Sequence, residues 1–256
     1  MNRNEYNRNS YNQNASNWSS TYSLNNYTHS HIEKPAIMKA LGDIKGKSII
    51  AIGCGSGEEV GLFYEKGATV VGFDQSEELI KIAQKNNKEM EFFVGDAESY
   101  RHPEKFDIAY AGFVAHYFKS WDKFLRNSSD LLRPKAELIF SIVHPIKRNL
   151  TVHRINGRRY SILGSNREED DRSRYQIFGD YLNPHEDRIS FGEGFDTIQY
   201  HRPIGEQIND ITRSSFDILD VIEPKPIASA KQDYPNKFEI DNRIPRVMIY
   251  HLRKRD

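Results

Sequence analysis

Three glycines at alternate positions, Gly53, Gly55 and Gly57, stand directly behind the apolar run Ile49-Ile50-Ala51-Ile52. That junction constrains the fold more than any other stretch of the chain. A continuous run of small apolar residues reads as a strand buried on both faces, as in parallel sheets covered by helices. The glycines let the backbone turn sharply and let a ligand approach it with no Cβ in the way. Behind them, Glu58-Glu59-Val60-Gly61-Leu62-Phe63-Tyr64 has helical apolar spacing, with two acids in the first turn where the helix dipole favours them. Strand, glycine turn and helix open a nucleotide-binding α/β unit.

The spacing is G-x-G-x-G, not the G-x-G-x-x-G of a dinucleotide fingerprint. A second strand, Ala68 to Phe73, ends on Asp74, at the roughly 20-residue distance past the glycines expected of an acid that grips ribose hydroxyls. Ser76 is a good N-cap for a helix over Glu77 to Asn87. Met90 to Val94 is a third strand that delivers Gly95-Asp96, and Phe106 to Ala111 is a fourth. Trp121 to Leu132 reads as an amphipathic helix stopped before Pro134, and Glu137 to Val143 as the fifth strand. A helix over Ile204 to Ser214 and strands at Phe216 to Ile222 and Arg246 to Leu252 follow. The alternation predicts an α/β fold: a Rossmann-like, seven-stranded, mostly parallel sheet with helices on both faces and ligands at the strands' C-terminal ends.

Residues 47–144 resemble a class I S-adenosylmethionine-dependent methyltransferase of the small-molecule type. The matching pieces are Ile52-Gly53-Cys54-Gly55-Ser56-Gly57, Val71-Gly72-Phe73-Asp74-Gln75-Ser76, Val94-Gly95-Asp96-Ala97-Glu98, Phe106-Asp107-Ile108-Ala109 and Leu131-Leu132-Arg133-Pro134, in the family's order. The resemblance implies S-adenosyl-L-methionine as cofactor. It implies that Gly53, Cys54, Gly55 and Gly57 face its methionine part, Asp74 and Gln75 its ribose, and Asp96 and Ala97 its adenine. Phe113, on the loop after the fourth strand, completes that set. It also implies an antiparallel edge in which the last strand lies beside the fifth. Tyr200-His201-Arg202-Pro203 and Glu223-Pro224 resemble a branch acting on small molecules. Two departures stand out: Ala51 where the family usually has an acid, and Lys135-Ala136 where it has Gly-Gly. They keep a non-catalytic S-adenosylmethionine-binding relative as the alternative reading. A nicotinamide-dependent oxidoreductase is disfavoured by the glycine spacing and by Gly95-Asp96.

Residues 1–17 are dominated by Asn, Ser and Tyr and read as a disordered tail. Residues 18–46 read as lid helices, in which Trp18, Tyr22, Leu24 and Tyr27 either pack outside the sheet or close over cofactor and substrate. Residues 47–144 are the cofactor-binding core and 200–256 the rest of the α/β unit. Residues 145–199 are polar and rich in Gly and Asn, too long for a structureless loop in a compact domain. They read as a capping insertion with strands around Arg158 to Leu163 and Asp196 to Tyr200.

Lys plus Arg and Asp plus Glu both number 36, and that zero net charge argues against a nucleic-acid or anionic-membrane partner. The single cysteine fits a reducing compartment, and no apolar run is long enough to span a bilayer, so the expected location is the cytoplasm. No Cys/His cluster has zinc spacing.

Methyl transfer needs donor and acceptor held in line and dry, with a general base only where the acceptor proton must leave early. The candidate bases are His116, on the loop after the fourth strand, His144 at the end of the fifth, and His201 just before the helix over Ile204 to Ser214. Trp18, Tyr22, Tyr117, Tyr200 and Arg202 are candidate substrate residues, the last for an acidic acceptor group. The expected acceptor is a small molecule or short peptide methylated on N or O.

Overall fold

The structure, a computed structural model, describes residues 2–23, 26–171 and 173–256, without the side chains of residues 22 and 23. Tyr22 and Leu24, two of the four aromatic or apolar residues expected in a lid, therefore lie outside the described residues.

The chain begins with α1 (Arg3–Asn17), capped by the Asn2 side chain, which accepts from the Glu5 N–H. Wide π-type turns at Trp18–Ser23 and His29–Glu33 lead into α2 (Lys34–Leu41). Strands and helices then alternate: β1 (Ser48–Ile52), α3 (Glu58–Glu65), β2 (Thr69–Asp74), α4 (Glu77–Asn86), β3 (Glu91–Val94), β4 (Phe106–Ala111), a 3-10 turn at Ala115–Tyr117, α5 (Asp122–Leu131) and β5 (Leu132–Val143). After α6 (Pro145–Arg148) come three antiparallel hairpins: β6 (Thr151–Ile155) with β7 (Arg158–Ile162), β8 (Gly164–Arg167) with β9 (Tyr175–Phe178), and β10 (His185–Gly192) with β11 (Phe195–His201). The chain closes with α7 (Ile204–Arg213), β12 (Phe216–Ile222), α8 (Ala230–Asp233), α9 (Pro235–Asp241) and β13 (Val247–Lys254).

The main sheet has seven strands in the order β12-β13-β5-β4-β1-β2-β3. β1 to β5 are parallel, and β13 runs antiparallel to both of its neighbours, β5 and β12. Successive residues of β1 serve opposite faces, as pleating requires. Ile50 and Ile52 join Phe124, Phe140 and Tyr250 on one side, and Ile49 and Ala51 join Ile37, Phe63 and Ile249 on the other. Each such buried side chain contributes about 1.5–3 kcal/mol, so the unbroken apolar run is what fixes β1 at the centre of the sheet.

The expected disordered tail is instead helix α1, packed against β11 and α4. Few apolar side chains hold it there: Tyr11 and Ala15 are buried, and so are the polar Asn7 and Ser10. Asn7 pairs with β11 as a neighbouring strand would, its Nδ2 donating to the Ile198 carbonyl at 2.8 Å and its Oδ1 accepting from the Ile198 N–H at 2.7 Å. Ser10 Oγ donates to the Asp196 carbonyl at 2.5 Å. A composition poor in apolar residues fails to signal burial when amide side chains do the docking.

A further expectation is corrected. The fifth strand does not wait for Glu137; it starts at Leu132 and runs through Pro134, with Lys135 at φ 60°. That left-handed backbone is what glycine adopts freely and a lysine does not. The region after β5 has strands at both expected stretches, Arg158–Ile162 and Phe195–His201, and among the described residues four more; β11 buries every second residue: Phe195, Thr197, Gln199 and His201.

Candidate active site

A cavity of about 250 Å³ opens over the C-terminal edge of the parallel strands. Its floor is built by the loops that leave β1 to β5: Gly53 to Gly55, Asp74 with Gln75, Gly95 to Ala97, Gly112 to Val114, and Val143. Its roof comes from α1 (Asn4, Asn7, Tyr11), from Trp18, Asn26, Thr28 and His29, and from the hairpin region through Arg148, Ile189, Phe191 and Gln199. Trp18 meets Tyr11 and Phe191 edge-on, at ring separations of 5.2 and 5.7 Å.

The glycine turn is open to this space. Gly53, Gly55 and Gly57 all have positive φ (65°, 55° and 88°), and a Cβ on Gly55 would point across the cavity to the Trp18 indole nitrogen, 3.6 Å away. Asp74 braces the turn: one carboxylate oxygen accepts from the Gly55 N–H at 3.0 Å and the other from the Ser76 N–H at 2.8 Å. Burial raises its pKa, and the backbone bonds from Ser76, Gly55 and Gln75 act against that rise. Asp96 at the next strand tip accepts from the Glu98 N–H at 2.7 Å. Of the nine residues assigned to the cofactor from sequence, eight line the cavity. Gly57 does not; it starts α3, and a Cβ there would meet the Asn87 side chain at 2.7 Å. Burial, and then the charge of Asp74, push the Cys54 thiol far up, so it stays protonated and inert.

Of the three candidate histidines, His116 alone lines this cavity. Burial, with Arg148 adding to it, holds its pKa well below the usual imidazole value, and its Nδ1 is enclosed without a partner. His144 is instead the cap of α6, accepting from the Ile146 N–H at 3.2 Å, with Nε2 2.8 Å from Glu223. His201 ends β11 and is buried between Asn149 and the Tyr181 carbonyl, 2.7 Å from each. Tyr117 lines the cavity, its hydroxyl 2.5 Å from that of Tyr11. Tyr200 does not; it lies beneath the Arg3 guanidinium at 5.8 Å. Arg202 also faces away from the cavity, bonded to Asp210 at 2.8 Å and stacked over Trp121 at 5.3 Å. Tyr27 packs into the core against Tyr234, so Trp18 is the one described residue of the expected lid aromatics at the site.

Among the cavity residues that escaped the sequence reading, His29, Arg148 and Gln199 carry polar chemistry. His29 lines the wall with Nδ1 3.3 Å from Glu33 and 3.8 Å from Glu59. Burial opposes its charge, but Glu33 and Glu59 outweigh that and raise its pKa. Glu33 is fully buried, accepting from the Tyr110 hydroxyl at 3.1 Å and from Ser141 Oγ at 2.9 Å. The i, i+4 spacing of His29 and Glu33 on a helical segment was a legible signal. Arg148 and Gln199, both from beyond β5, carried none. Phe113 adds a strained point at the floor, with φ 54°, its N–H bonded to Ser141 Oγ at 3.0 Å and its ring 4.9 Å from that of His29.

Residues 50–140 match the family profile described as a methyltransferase domain. A solved S-adenosylmethionine-dependent methyltransferase from Mesorhizobium loti is 26% identical, covering 87% of this chain and 97% of its own, with a TM-score of 0.69. Residues 50–140 form a methyltransferase domain of the class I S-adenosylmethionine-dependent type. The methyltransferase fold extends over most of the chain, since the Mesorhizobium structure covers 87% of it; an uncharacterized protein of Haemophilus influenzae is 29% identical over 238 residues, 87% of each protein. A ubiquinone biosynthesis O-methyltransferase of Coxiella burnetii is 25% identical over 122 residues, which is 44% of this chain and 52% of that protein. The cofactor of this methyltransferase is S-adenosyl-L-methionine, and the glycine cradle with carboxylates at two strand tips fits it. No helix among the described residues is long and apolar enough to cross a membrane.

Proposed function

We propose that this methyltransferase transfers the methyl group to a nitrogen or oxygen of a small molecule or short peptide enclosed under α1 and the β10–β11 hairpin. One observation carries the reading. The glycine turn, Asp74 and Asp96 share a single covered cavity with a neutral histidine, His116, instead of opening onto a flat surface suited to a macromolecule.

When bound, the cofactor supplies an electrophilic methyl group open to in-line displacement by the acceptor. Asp74 would hold the ribose hydroxyls and Asp96 the adenine amino group, with Ala97 offering an apolar contact to the adenine. The roof built from α1, Trp18 and Phe191 excludes water, which strengthens every electrostatic contact inside. His116 is the base: kept neutral by burial, it has a free lone pair for the acceptor's proton, and base catalysis by such a group contributes roughly 10²–10⁴-fold. His29 is held towards its cationic form and orients rather than deprotonates.

Calorimetry with S-adenosylhomocysteine, followed by turnover with labelled S-adenosylmethionine over a panel of small amines, alcohols and short peptides, tests the reading. Binding without any turnover would favour the non-catalytic alternative. His116→Asn should cut turnover by roughly 10²-fold or more while cofactor affinity stays within a few-fold. A cost under tenfold would mean that the acceptor is positioned and not deprotonated.

A further inference from the structure

Arg148 ends the short helix α6, which caps the C-terminal end of β5, and it faces the cavity. Its guanidinium makes no ion pair or hydrogen bond among the described residues, and its Nε is fully enclosed. Other arginines with an enclosed nitrogen have a carboxylate partner, Arg202 in Asp210 at 2.8 Å and Arg3 in Glu186 at 3.4 Å, and Arg246 pairs with Asp241 at 2.7 Å. Among the described residues, Tyr117 and then Asp187 favour its charge, and Asp187 stands beyond ion-pair distance. Burial draws the pKa of the guanidinium down to about 10, so the group remains cationic at neutral pH.

Arg148 is half-buried with its Nε enclosed, and a cationic N–H withdrawn from water without a partner is a standing cost to the fold. Two further polar atoms on the same cavity share that condition: Gln199 Oε1 and His116 Nδ1 are both enclosed and unpartnered. Gln199 cannot relieve Arg148, because its amide is fixed by donating to Thr197 Oγ1 at 3.0 Å. A cation, an acceptor and an imidazole nitrogen, all unsatisfied around one space, describe the complement of a ligand that is absent from the chain itself.

Position in the sheet says which ligand. Asp74 and Asp96 end β2 and β3, on one side of the glycine turn, whereas Arg148 follows β5, two strands away on the other side. We propose that Arg148 is the anion-binding residue of the acceptor subsite, so that the methyl acceptor is a small molecule bearing a carboxylate or phosphate group, which pairs with the Arg148 guanidinium inside the cavity. This rests on the methyltransferase reading above and names the substrate class for it. Arg202, the residue that sequence alone favoured for an acidic group, is already neutralised by its own helix.

The test uses the full chain saturated with S-adenosylhomocysteine, wild type and Arg148→Met, with Arg148→Lys as the conservative control. Acetate, benzoate and phenyl phosphate are compared with acetamide and benzamide by thermal shift and calorimetry. The wild type should be stabilised by the anions and not by the amides; carboxylate and phosphate arms distinguish the two anion sources. Arg148→Met should lose about tenfold or more in anion affinity, Arg148→Lys less. Without ligand, Arg148→Met should melt higher than wild type, because it removes an uncompensated buried charge. A lower melting point would make Arg148 structural, and equal responses to acids and amides, or none to any anion, would remove the subsite. Comparing S-adenosylhomocysteine with 5′-methylthioadenosine covers the remaining rival: a selective loss of the former in Arg148→Met would assign the arginine to the cofactor's own carboxylate and overturn the proposal. Failure of the wild type to bind S-adenosylhomocysteine would instead sink the methyltransferase reading, and the anion arms would still report on Arg148.

Discussion

Asn7→Ala tests whether α1 is a working part of the molecule. Asn7 is 1% exposed, and its amide closes two hydrogen bonds to the Ile198 backbone, at 2.8 and 2.7 Å. Each such bond contributes about 0.5–1.5 kcal/mol net, and leaving both backbone groups of Ile198 without a partner sets the loss at about 1–3 kcal/mol. At roughly 2–4 °C per kcal/mol for a chain of this size, the melting point should fall by several degrees if α1 unfolds with the rest. If α1 detaches locally instead, the midpoint moves little, but protease cleavage within residues 3–17 should accelerate and affinity for S-adenosylhomocysteine should fall, because Asn7 and Tyr11 line the cavity. Differential scanning calorimetry, limited proteolysis and titration calorimetry read the three outcomes, with the exposed Gln13→Ala as a neutral control. An Asn7→Ala variant indistinguishable from Gln13→Ala in all three would refute the docking of α1 and restore a disordered tail.

Asp74→Ala should weaken S-adenosylhomocysteine at least tenfold, since each hydrogen bond to a charged acceptor contributes about 1.5–3 kcal/mol; unchanged affinity by calorimetry rules out the ribose role. It should also lower the melting point, because the Gly55 and Ser76 N–H groups lose their acceptor. Stability should fall on acidification below about pH 6.5: burial holds His116, His144 and His201 below their ordinary pKa, so the unfolded chain binds protons that the folded one refuses, at up to 1.4 kcal/mol per pH unit for each. His29 has a raised pKa and acts oppositely, its stabilisation present below pH 6.5 and lost above, so His116→Asn should flatten the acid limb in calorimetric scans and His29→Asn should steepen it. Lys135→Gly should raise the melting point by roughly 1–4 °C by relieving the φ of 60°, about 0.5–1 kcal/mol, while its exposed pair with Asp256 is a negligible loss; a decrease would mean that the turn is not strained.

The α/β core was legible because its physics is repetitive. A strand buried on both faces favours an apolar run, so Phe106–Ala111 could be bounded from sequence to the residue, and the mostly exposed edge strand Phe216–Ile222 was bounded as well by its apolar and β-branched residues. The cofactor side was legible for a related reason: a tight turn against a ligand permits only glycine, and the strand ends fix where Asp74 and Asp96 emerge. The roof obeyed no such exclusion. α1 is buried through asparagine and serine, which sequence composition assigns to solvent. The choice between Arg148 and Arg202 turned on a pattern that was present but unread. Glu206 and Asp210 follow Arg202 at steps of four, one face of α7, so its charge was spoken for locally. No acid stands at that spacing around Arg148, and its isolation appears only once β11 and the β4 loop are folded against it.

The isolation of Arg148 also bears on which atom accepts the methyl group. A carboxylate oxygen that becomes methylated loses its negative charge as the bond forms. Its attraction to Arg148 would then be weaker in the transition state than in the bound ground state, and such an interaction slows the chemical step. In a dry cavity, where Coulombic terms are large, that penalty grows. The guanidinium therefore serves best when it holds an anionic group that keeps its charge throughout, while a separate amine or hydroxyl presents itself to the methyl group. His116, neutral and with an unpartnered Nδ1 on the same wall, is suited to take a proton from such a group, a service that an already ionised carboxylate would not need. The two residues thus point to one acceptor design: an acid bearing a second, protonated nucleophile. Its methylated product should keep an ionised carboxylate or phosphate, which titrates in the acid range by NMR with the new methyl group on nitrogen or on a hydroxyl oxygen. A neutral methyl ester as the product would contradict this division of roles.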